Sequence, residues 1–308
     1  MTEIRISVVI PAFNRGGTVA RAIDSALAQE RPAAEVIVVD DGSTDATAQV
    51  VGRYGGKCLL IRQDNAGVSS ARNRGIEASR GDWIAFLDSD DYWERDHLSK
   101  LADAVRATGG EAALYFQDAS LPRAEGGLSY WDRCGFGIDG PYSLRRDASP
   151  WVTLPIQPML LQASLIARPR YWEVGGLPAG LRTREDTLLF FKLGMRFPAC
   201  AVAGRGTVMT SDDALRLTRE IGSADPSYWR ASLLVYREML SFAGRFRPEY
   251  RGYFRARLSA AHFSSARLAY RRRKPMGMIG HLMASAGRSP AMFLKQLRGS
   301  LARHRAVE

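Results

Sequence analysis

The sequence predicts an α/β protein in which a mostly parallel sheet is flanked by helices and followed by a helical C-terminal extension. Three observations carry this. Short β-branched runs alternate with helical periodicities over the first 116 residues, the βαβ grammar of a parallel sheet. Acidic clusters stand directly after two of those runs. Beyond Pro226 the pattern turns helical and strongly basic.

Taken in order, Ile4 to Ile10 is a β-branched run ending at Pro11 and suits a strand buried on both faces. Thr18 to Gln29 places Val19, Ala22, Ile23, Ala26 and Leu27 at helical spacing. A second strand, Val36-Ile37-Val38-Val39, ends in Asp40-Asp41-Gly42-Ser43-Thr44-Asp45, and a short helix then runs through Val51. Cys58 to Arg62 reads as a strand, Val68 to Ser79 as a helix and Trp83 to Leu87 as a strand ending in Asp88-Ser89-Asp90-Asp91. A helix from about Glu94 to Ala107 and a strand from Ala112 to Phe116 close this half. Pro122 to Pro155 breaks the rhythm; it is rich in Gly, Pro, Arg and aromatics and reads as a loop region that shapes a substrate site. A helix returns at Thr183 to Arg196, and helices are predicted over Tyr228 to Phe246, Tyr250 to Tyr270 and, interrupted, Met276 to Leu301. There is no internal repeat. The expected division is a domain over 1–226, with halves of about 1–116 and 117–226, and an extension over 227–308.

At 308 residues, 46% hydrophobic and 24% charged, the chain is neither disordered nor a small disulfide-stapled fold. No run approaches the ~18 to 20 apolar residues of a spanning helix, and Met1-Thr2-Glu3-Ile4-Arg5 leads straight into a strand without a signal peptide, which predicts a cytosolic protein. Cys58, Cys134 and Cys200 lack the spacing of a metal or redox site and are expected to be packing residues. The net charge of +11 is uneven: Tyr228 to Glu308 holds 17 basic residues against 3 acidic, and the first 227 residues hold 26 against 29. A near-neutral body with a basic tail points the tail toward phosphate-bearing partners, either lipid headgroups or nucleic acid.

In open parallel sheets ligands sit at the carboxyl ends of strands, so polar residues just after strands are the candidates for chemistry. Asp40 and Asp41 can accept hydrogen bonds from a ribose hydroxyl or a base N–H, while Ser43, Thr44 or Asp45 can cap the next helix. Asp88, Asp90 and Asp91 repel one another unless a cation neutralises them, and in an extended segment Asp88 and Asp90 point the same way. Their hard oxygens suit Mn²⁺ or Mg²⁺, a metal that shares its remaining positions with substrate phosphates; alternatively Asp90 or Asp91 caps the helix near Glu94. Glu185-Asp186 opens an apolar helix, a place the helix dipole favours for acids in any case. His97, His262, His281 and His304 are scattered and are read as surface or packing residues, not ligands. Trp151, Trp172 and Trp229 are either a sugar-stacking platform or core.

Ser7-Val8-Val9-Ile10-Pro11-Ala12-Phe13-Asn14-Arg15, Val38-Val39-Asp40-Asp41-Gly42-Ser43-Thr44-Asp45, Asn65 to Gly75, Phe86-Leu87-Asp88-Ser89-Asp90-Asp91 and Glu185-Asp186 together resemble glycosyltransferase family 2, closely over about residues 4 to 106 and loosely to about 220. The resemblance implies a GT-A, Rossmann-like fold and an inverting transfer of a sugar from a nucleotide diphosphate donor, UDP-linked, to a hydroxyl of a cell-envelope or exopolysaccharide glycan that can be lipid-linked. It implies a base pocket lined by Pro11, Ala12 and Phe13, base or ribose contacts from Asp41 with Asp40 beside it, and further nucleotide contacts from Arg72 and Ser89. Asp88 and Asp90 would hold Mn²⁺ or Mg²⁺ on the diphosphate, and Asp186 would deprotonate the acceptor hydroxyl. On this reading 1–226 is the catalytic domain, with a nucleotide-sugar half and an acceptor half.

The chain lacks the Q-x-x-R-W motif and membrane helices of processive synthases, so single-sugar addition is expected. Where many relatives carry Y-R-x-H, it has Leu217-Thr218-Arg219-Glu220, which nominates Arg219 as a diphosphate contact. No G-x-G-x-x-G or P-loop motif follows the first strand. The remaining rivals are a nucleotidyltransferase, for which Arg15-Gly16-Gly17 is a poor phosphate loop, and a nucleic-acid binder acting through Arg271-Arg272-Arg273-Lys274. For the tail, Phe254, Leu258, Ala261, Ser265 and Leu268, then Met276, Ile279, Leu282, Met283, Phe293, Leu294 and Leu297, give apolar sets among Arg residues, the pattern of helices lying on an anionic inner membrane face. The alternative is that these sets pack on protein.

Overall fold

The computed structural model of the chain describes residues 3–121, 128–210 and 225–305, with side chains through Arg298. These form two compact units, one of residues 3–180 and 185–210, the other of 181–184 and 225–305. In the first unit the chain runs β1 (Ile6–Ala12), α1 (Val19–Leu27), β2 (Glu35–Asp40), α2 (Thr47–Gly52), β3 (Leu59–Arg62), α3 (Val68–Ala78), β4 (Trp83–Phe86), β5 (Tyr92–Trp93), α4 (His97–Ala107) and β6 (Leu114–Ser120). It continues through α5 (Tyr130–Cys134), β7 (Tyr142–Arg145), α6 (Ser149–Val152), β8 (Ser164–Ala167), α7 (Arg168–Glu173), α8 (Glu185–Arg196) and β9 (Ala199–Val208).

Among the described residues one sheet takes all nine strands, in the order β3-β2-β1-β4-β8-β6-β9-β5, with β7 also on β9. The expected parallel half is present: β1 lies parallel to β2 and β4, and β2 to β3. Beyond β4 the sheet is mixed, since β8 runs antiparallel to β4 and β6, and β9 runs parallel to β6 but antiparallel to β5 and β7. All seven residues of β1 are buried, as a strand with helices on both faces requires. Val8, Ile10, Val36 and Val38 pack with Val19, Ile23, Leu98 and Leu101 in one core, while Ile37 and Val39 pack with Ala71 of α3 on the other face. Gly75 of α3 rests directly on Val9, where a Cβ would collide with the valine methyls.

Two expectations shift. The helix expected from Glu94 begins only at His97, because Tyr92 and Trp93 pair with Val208 and Thr207 as β5. The described part of the 122–155 segment is more regular than a loop, holding α5, β7 and α6. Strands β8 and β9 carry little local signal: β8 has four residues, and β9 contains Gly204 and Gly206. At Gly206 a side chain would strike the buried His97–Gln117 pair.

The second unit is helical: α9 (Pro226–Phe246), α10 (Arg251–Arg271), α11 (Pro275–Arg288) and α12 (Pro290–Arg305). Proline opens α9, α11 and α12, where its missing N–H is one the helix cannot use. Helix α10 packs against the other three and buries Phe254, Leu258, Ala261, Phe263 and Ala266. Ser259 and Ser285 hydrogen-bond where α10 meets α11, and the rings of His262 and His281 touch with their Nδ1 atoms 3.1 Å apart. Arg184 belongs to this unit and donates to Ser232 Oγ and Tyr236 Oη at 2.6 and 3.0 Å. Thus Phe254, Leu258, Ala261 and Ser265 of the first apolar set read in the tail are the core of a helical unit and not a face for an interface, and Leu268 is half-buried.

Candidate active site

The parallel register places Ala12 opposite Asp40 and Val9 opposite Phe86, so the segments that follow β1, β2 and β4 emerge along one edge of the sheet. At the first two ends the chain is tied by side chains. Asn14 adopts a left-handed φ of 53°, a conformation asparagine tolerates better than most residues. Its backbone N–H donates to Ser43 Oγ at 2.9 Å and its Oδ1 accepts from Thr44 N at 2.9 Å. None of the three capping candidates is the N-cap of α2, which is Ala46; Asp45, one residue before it, accepts from Thr47 N through Oδ1 while its Oδ2 accepts from Gly16 N.

Asp40 is wholly buried; it accepts from Ser43 N and pairs with Arg62 at 3.0 Å. Asp41 accepts from Gln63 Nε2 and Ala66 N on Oδ1 and from Gly67 N on Oδ2, at 2.7, 2.9 and 2.8 Å. Of the roughly four lone-pair directions of a carboxylate, three are therefore used, leaving one on Oδ2 for a ligand N–H or O–H. An open cleft of about 520 Å³ lies beside them, lined by Gly42, Ser43, Arg62, Gln63 and Asp64. Among Pro11, Ala12 and Phe13, the first two are buried within β1 and Phe13 is 43% exposed, so only its ring is presented at the strand end. Sequence reasoning missed Asn14, Arg62 and Gln63; the signal that existed was an asparagine two residues after a strand.

The second acidic place converges, by a different geometry from the one expected. Asp88 to Asp91 forms a turn closed by Asp91 N donating to Asp88 O at 3.0 Å, and the turn brings ligand oxygens of Asp88, Asp90 and Asp91 within 4.8 Å of one another. Neither Asp90 nor Asp91 caps a helix, since β5 intervenes before α4. Ser89 sits inside the turn, buried. Asp91 is braced from across the sheet: Thr210 N donates to its Oδ1 at 3.0 Å and Gln162 Nε2 to its Oδ2 at 3.4 Å. The backbone oxygen of Asp90 accepts from Arg21 and from Thr210 Oγ1. Arg21, Gln162 and Thr210 lie far from this turn in sequence and gave no local signal.

Arg72 joins the third place to the second. Its Nη2 donates to Asp88 Oδ1 at 2.7 Å and its Nη1 to Glu185 Oε1 at 3.1 Å, while its buried Nε meets no partner. The resemblance cast Arg72 as a nucleotide contact; in the fold both of its terminal nitrogens are held by carboxylates. Burial works against the Arg72 charge, but Asp88 and Glu185 more than reverse this and raise its pKa. Burial pushes the Glu185 carboxyl up to about 7, and the neighbouring Asp186 charge adds to the rise against the pull of Arg72. Asp186, at the N-terminal turn of α8, accepts from Thr187 N.

The residues present fit a divalent cation. Three carboxylates converge in one turn, and their hard oxygen donors are of the kind that a divalent ion takes. Trp151 does not serve as a platform: it is buried edge-on against Phe116 and Phe136, whereas Trp172 is 39% exposed beside Tyr171. Arg219 lies outside the described residues. His97 is a packing residue, stacked on Trp93 and bonded to Gln117, and its pKa is pushed down to about 4 by burial.

The sequence model of Glycosyl transferase family 2 matches residues 7–123, the stretch that supplies Asn14, Asp40, Asp41, Arg72 and the Asp88–Asp91 turn. Residues 7–123 form a family 2 glycosyltransferase domain. The resemblance drawn from the motifs is thereby confirmed for those within residues 7–123; Glu185-Asp186 lies outside the match. The chain is 45% identical over 111 residues to the succinoglycan biosynthesis protein ExoO of Rhizobium meliloti (strain 1021), covering 35% of this chain and 32% of ExoO. The match thus spans about a third of that relative's length. Beyond the domain the likeness is one of fold. S. aureus TarS 1-349 in complex with UDP-GlcNAc superposes with a TM-score of 0.62 at 16% identity, over 93% of this chain and 92% of that one. The mannosyltransferase PcManGT from Pyrobaculum calidifontis, in complex with GDP-Man and Mn²⁺, gives 0.60 at 18% identity, over 97% and 79%.

Proposed function

We propose that the chain transfers a single sugar from a nucleotide diphosphate donor, UDP-linked, to a hydroxyl of a cell-envelope or exopolysaccharide glycan, with inversion at the anomeric carbon. The observation that carries this is the tie made by Arg72: one buried guanidinium bonded to both Asp88 and Glu185 puts the metal-type acid cluster next to the carboxylates at the head of α8. Such a transfer needs a phosphate-holding group and a base for the attacking hydroxyl side by side. The nucleotide-sugar complexes of two structures with this fold, and the polysaccharide role in the name of ExoO, support the substrate class.

In this reading the base lies in the cleft beside Gly42 and Gln63, with the Phe13 ring at its side and Asp41 accepting one hydrogen bond from it. Asp88 and Asp90 hold Mn²⁺ or Mg²⁺, which when bound offsets the charge developing on the diphosphate leaving group. Asp186 accepts the proton of the acceptor hydroxyl as the oxygen attacks from the face opposite the departing diphosphate, which gives inversion. Arg72 holds Asp88 and Glu185 in place, and Arg219 contacts the diphosphate. The catalytic domain is 1–226, with donor and acceptor halves meeting near residue 116, and 227–308 is an accessory helical extension. The reaction takes place on the cytoplasmic side.

The test is incubation of the full chain with a panel of UDP-, GDP- and dTDP-sugars, with Mn²⁺, Mg²⁺ or EDTA, following nucleotide release with and without polyprenyl-diphosphate-linked acceptors. Metal-dependent release from one donor, accelerated by an acceptor, is the expected result. Release from no nucleotide sugar under any of these conditions would reject the proposal.

A further inference from the structure

Helix α11 presents two different faces. Toward α10 it places Gly277, whose absent Cβ would sit 3.8 Å from that of Ala269, His281 against His262, and Ser285 bonded to Ser259. The opposite face, at i, i+3 and i+7 spacing, carries Met276, Ile279 and Met283, which are 81%, 48% and 71% exposed. Gly280, Ala286 and Gly287 fill the rest of that face, so no charge interrupts it. Charges stand at its ends: exposed Arg271, Arg272, Arg273 and Lys274 before Pro275, and Arg288 at the last position. In α12, Leu294 and Leu297 are exposed beside Lys295 and Arg298. From Tyr250 to Val307 there are thirteen basic residues and no acidic one.

An exposed apolar strip rimmed by charge is the form that interaction surfaces take. We propose that the outward face of α11, with the flanking Arg271–Lys274 cluster, docks on an anionic phospholipid surface. The 14 residues of α11 extend about 21 Å, short of the roughly 30 Å hydrocarbon core, so the helix lies in the interface and does not cross it. Met276, Ile279 and Met283 enter the acyl boundary, and the cations around them meet phosphates of the headgroups. The charge pattern favours lipid over the alternatives. A second copy docking by the same face would press two Arg271–Lys274 clusters toward one another. A protein partner would need acidic groups ringing an apolar centre, whereas a leaflet supplies both everywhere. This surface is independent of the catalytic reading and is tested without an activity assay.

Full-length protein is sedimented with vesicles of phosphatidylglycerol and phosphatidylcholine, and with vesicles of phosphatidylcholine alone, at low and high salt. Binding to the anionic vesicles should exceed binding to the neutral ones by about tenfold or more and fall at high salt. Ile279→Glu/Met283→Glu should lower binding by about tenfold or more, Ile279→Leu/Met283→Leu should retain it, and Arg271→Gln/Arg272→Gln should lower it and flatten the salt dependence. These positions are exposed, so unchanged thermal melting is expected and is checked for each variant. The proposal is overturned if the protein ignores anionic vesicles, or if binding is indifferent to Ile279→Glu/Met283→Glu. It is equally overturned if that variant only dissolves a vesicle-independent dimer in sedimentation velocity.

Discussion

Arg72 is where the site is most sensitive to a single atom group. Replacing it by methionine would leave Asp88 and the buried Glu185 without their common cation, and breaking a buried pair in this way costs about 3–5 kcal/mol. We expect Arg72→Met to lower the denaturant midpoint sharply. Arg72→Lys, a point charge that cannot fork between two carboxylates, should fall in between. The acids of the turn behave differently. Asp90→Ala, and less severely Asp88→Ala, should abolish metal-stimulated turnover; Asp90→Ala should leave the melting temperature unchanged or higher, because removing one member of a crowded acidic turn relieves repulsion, whereas Asp88→Ala also takes a carboxylate from the buried Arg72 and should lower it. Loss of folding, or full activity in EDTA, would contradict the role given to them. Asp186→Asn keeps the shape of the head of α8 but removes the base proposed there; donor binding should persist in calorimetry while transfer drops by about 10²- to 10⁴-fold. Near-normal turnover would move the base to Glu185.

At the level of elements, the parallel half owes its tight layering to small residues in α3. Gly75 has no room for a methyl group against Val9, so Gly75→Ala must push α3 off β1 or distort the valine. Overpacking of this kind costs about 1–3 kcal/mol, and Gly75→Ala/Val9→Ala should recover part of the loss in the same denaturation assay. The displacement would also reach Arg72, one turn earlier on α3, so turnover should fall further than stability alone accounts for. The parallel half was readable because each of its elements is written locally, as an apolar run or a helical period. Strand β8 was not, because four residues between a 3₁₀ turn and α7 become a strand only through antiparallel neighbours on both sides. The late start of α4 has the same origin, in the pairing of Tyr92–Trp93 with β9 across more than a hundred residues of chain.

For the molecule as a whole, buried imidazoles set an acid limit on stability. Burial lowers the pKa of His97 from 6.5 to about 4, so the folded state holds it neutral where the unfolded chain takes up a proton. His262 is lowered to about 4 in the same way. Both contributions are complete above pH 6.5 and are lost as pH falls from there toward 4. Equilibrium unfolding followed across that window should show His97→Gln with a shallower decline than the parent. The divalent cation proposed for the Asp88–Asp91 turn would add a second global handle: at about 100 times its Kd it would stabilise the fold by about 2.7 kcal/mol. Mn²⁺ should raise the melting temperature, EDTA should reverse the change, and Asp90→Ala should remove it.

The sequence by itself determined the elements of the nucleotide-side half, the three acidic places after its strands and at the head of α8, and the family to which residues 7–123 belong, because each is encoded within a dozen neighbouring residues. Only the tertiary structure decided what those acids do to one another. Asp88 and Glu185 meet through Arg72, which stands 16 residues before the one and 113 before the other, and no local period reports a contact at such separations. Burial made the same kind of decision in the basic tail. Two apolar sets of equal appearance were divided, Phe254 and Leu258 into the core of a helical unit and Met276, Ile279 and Met283 to the outside, because helical spacing fixes which residues share a face but not which face finds a neighbour.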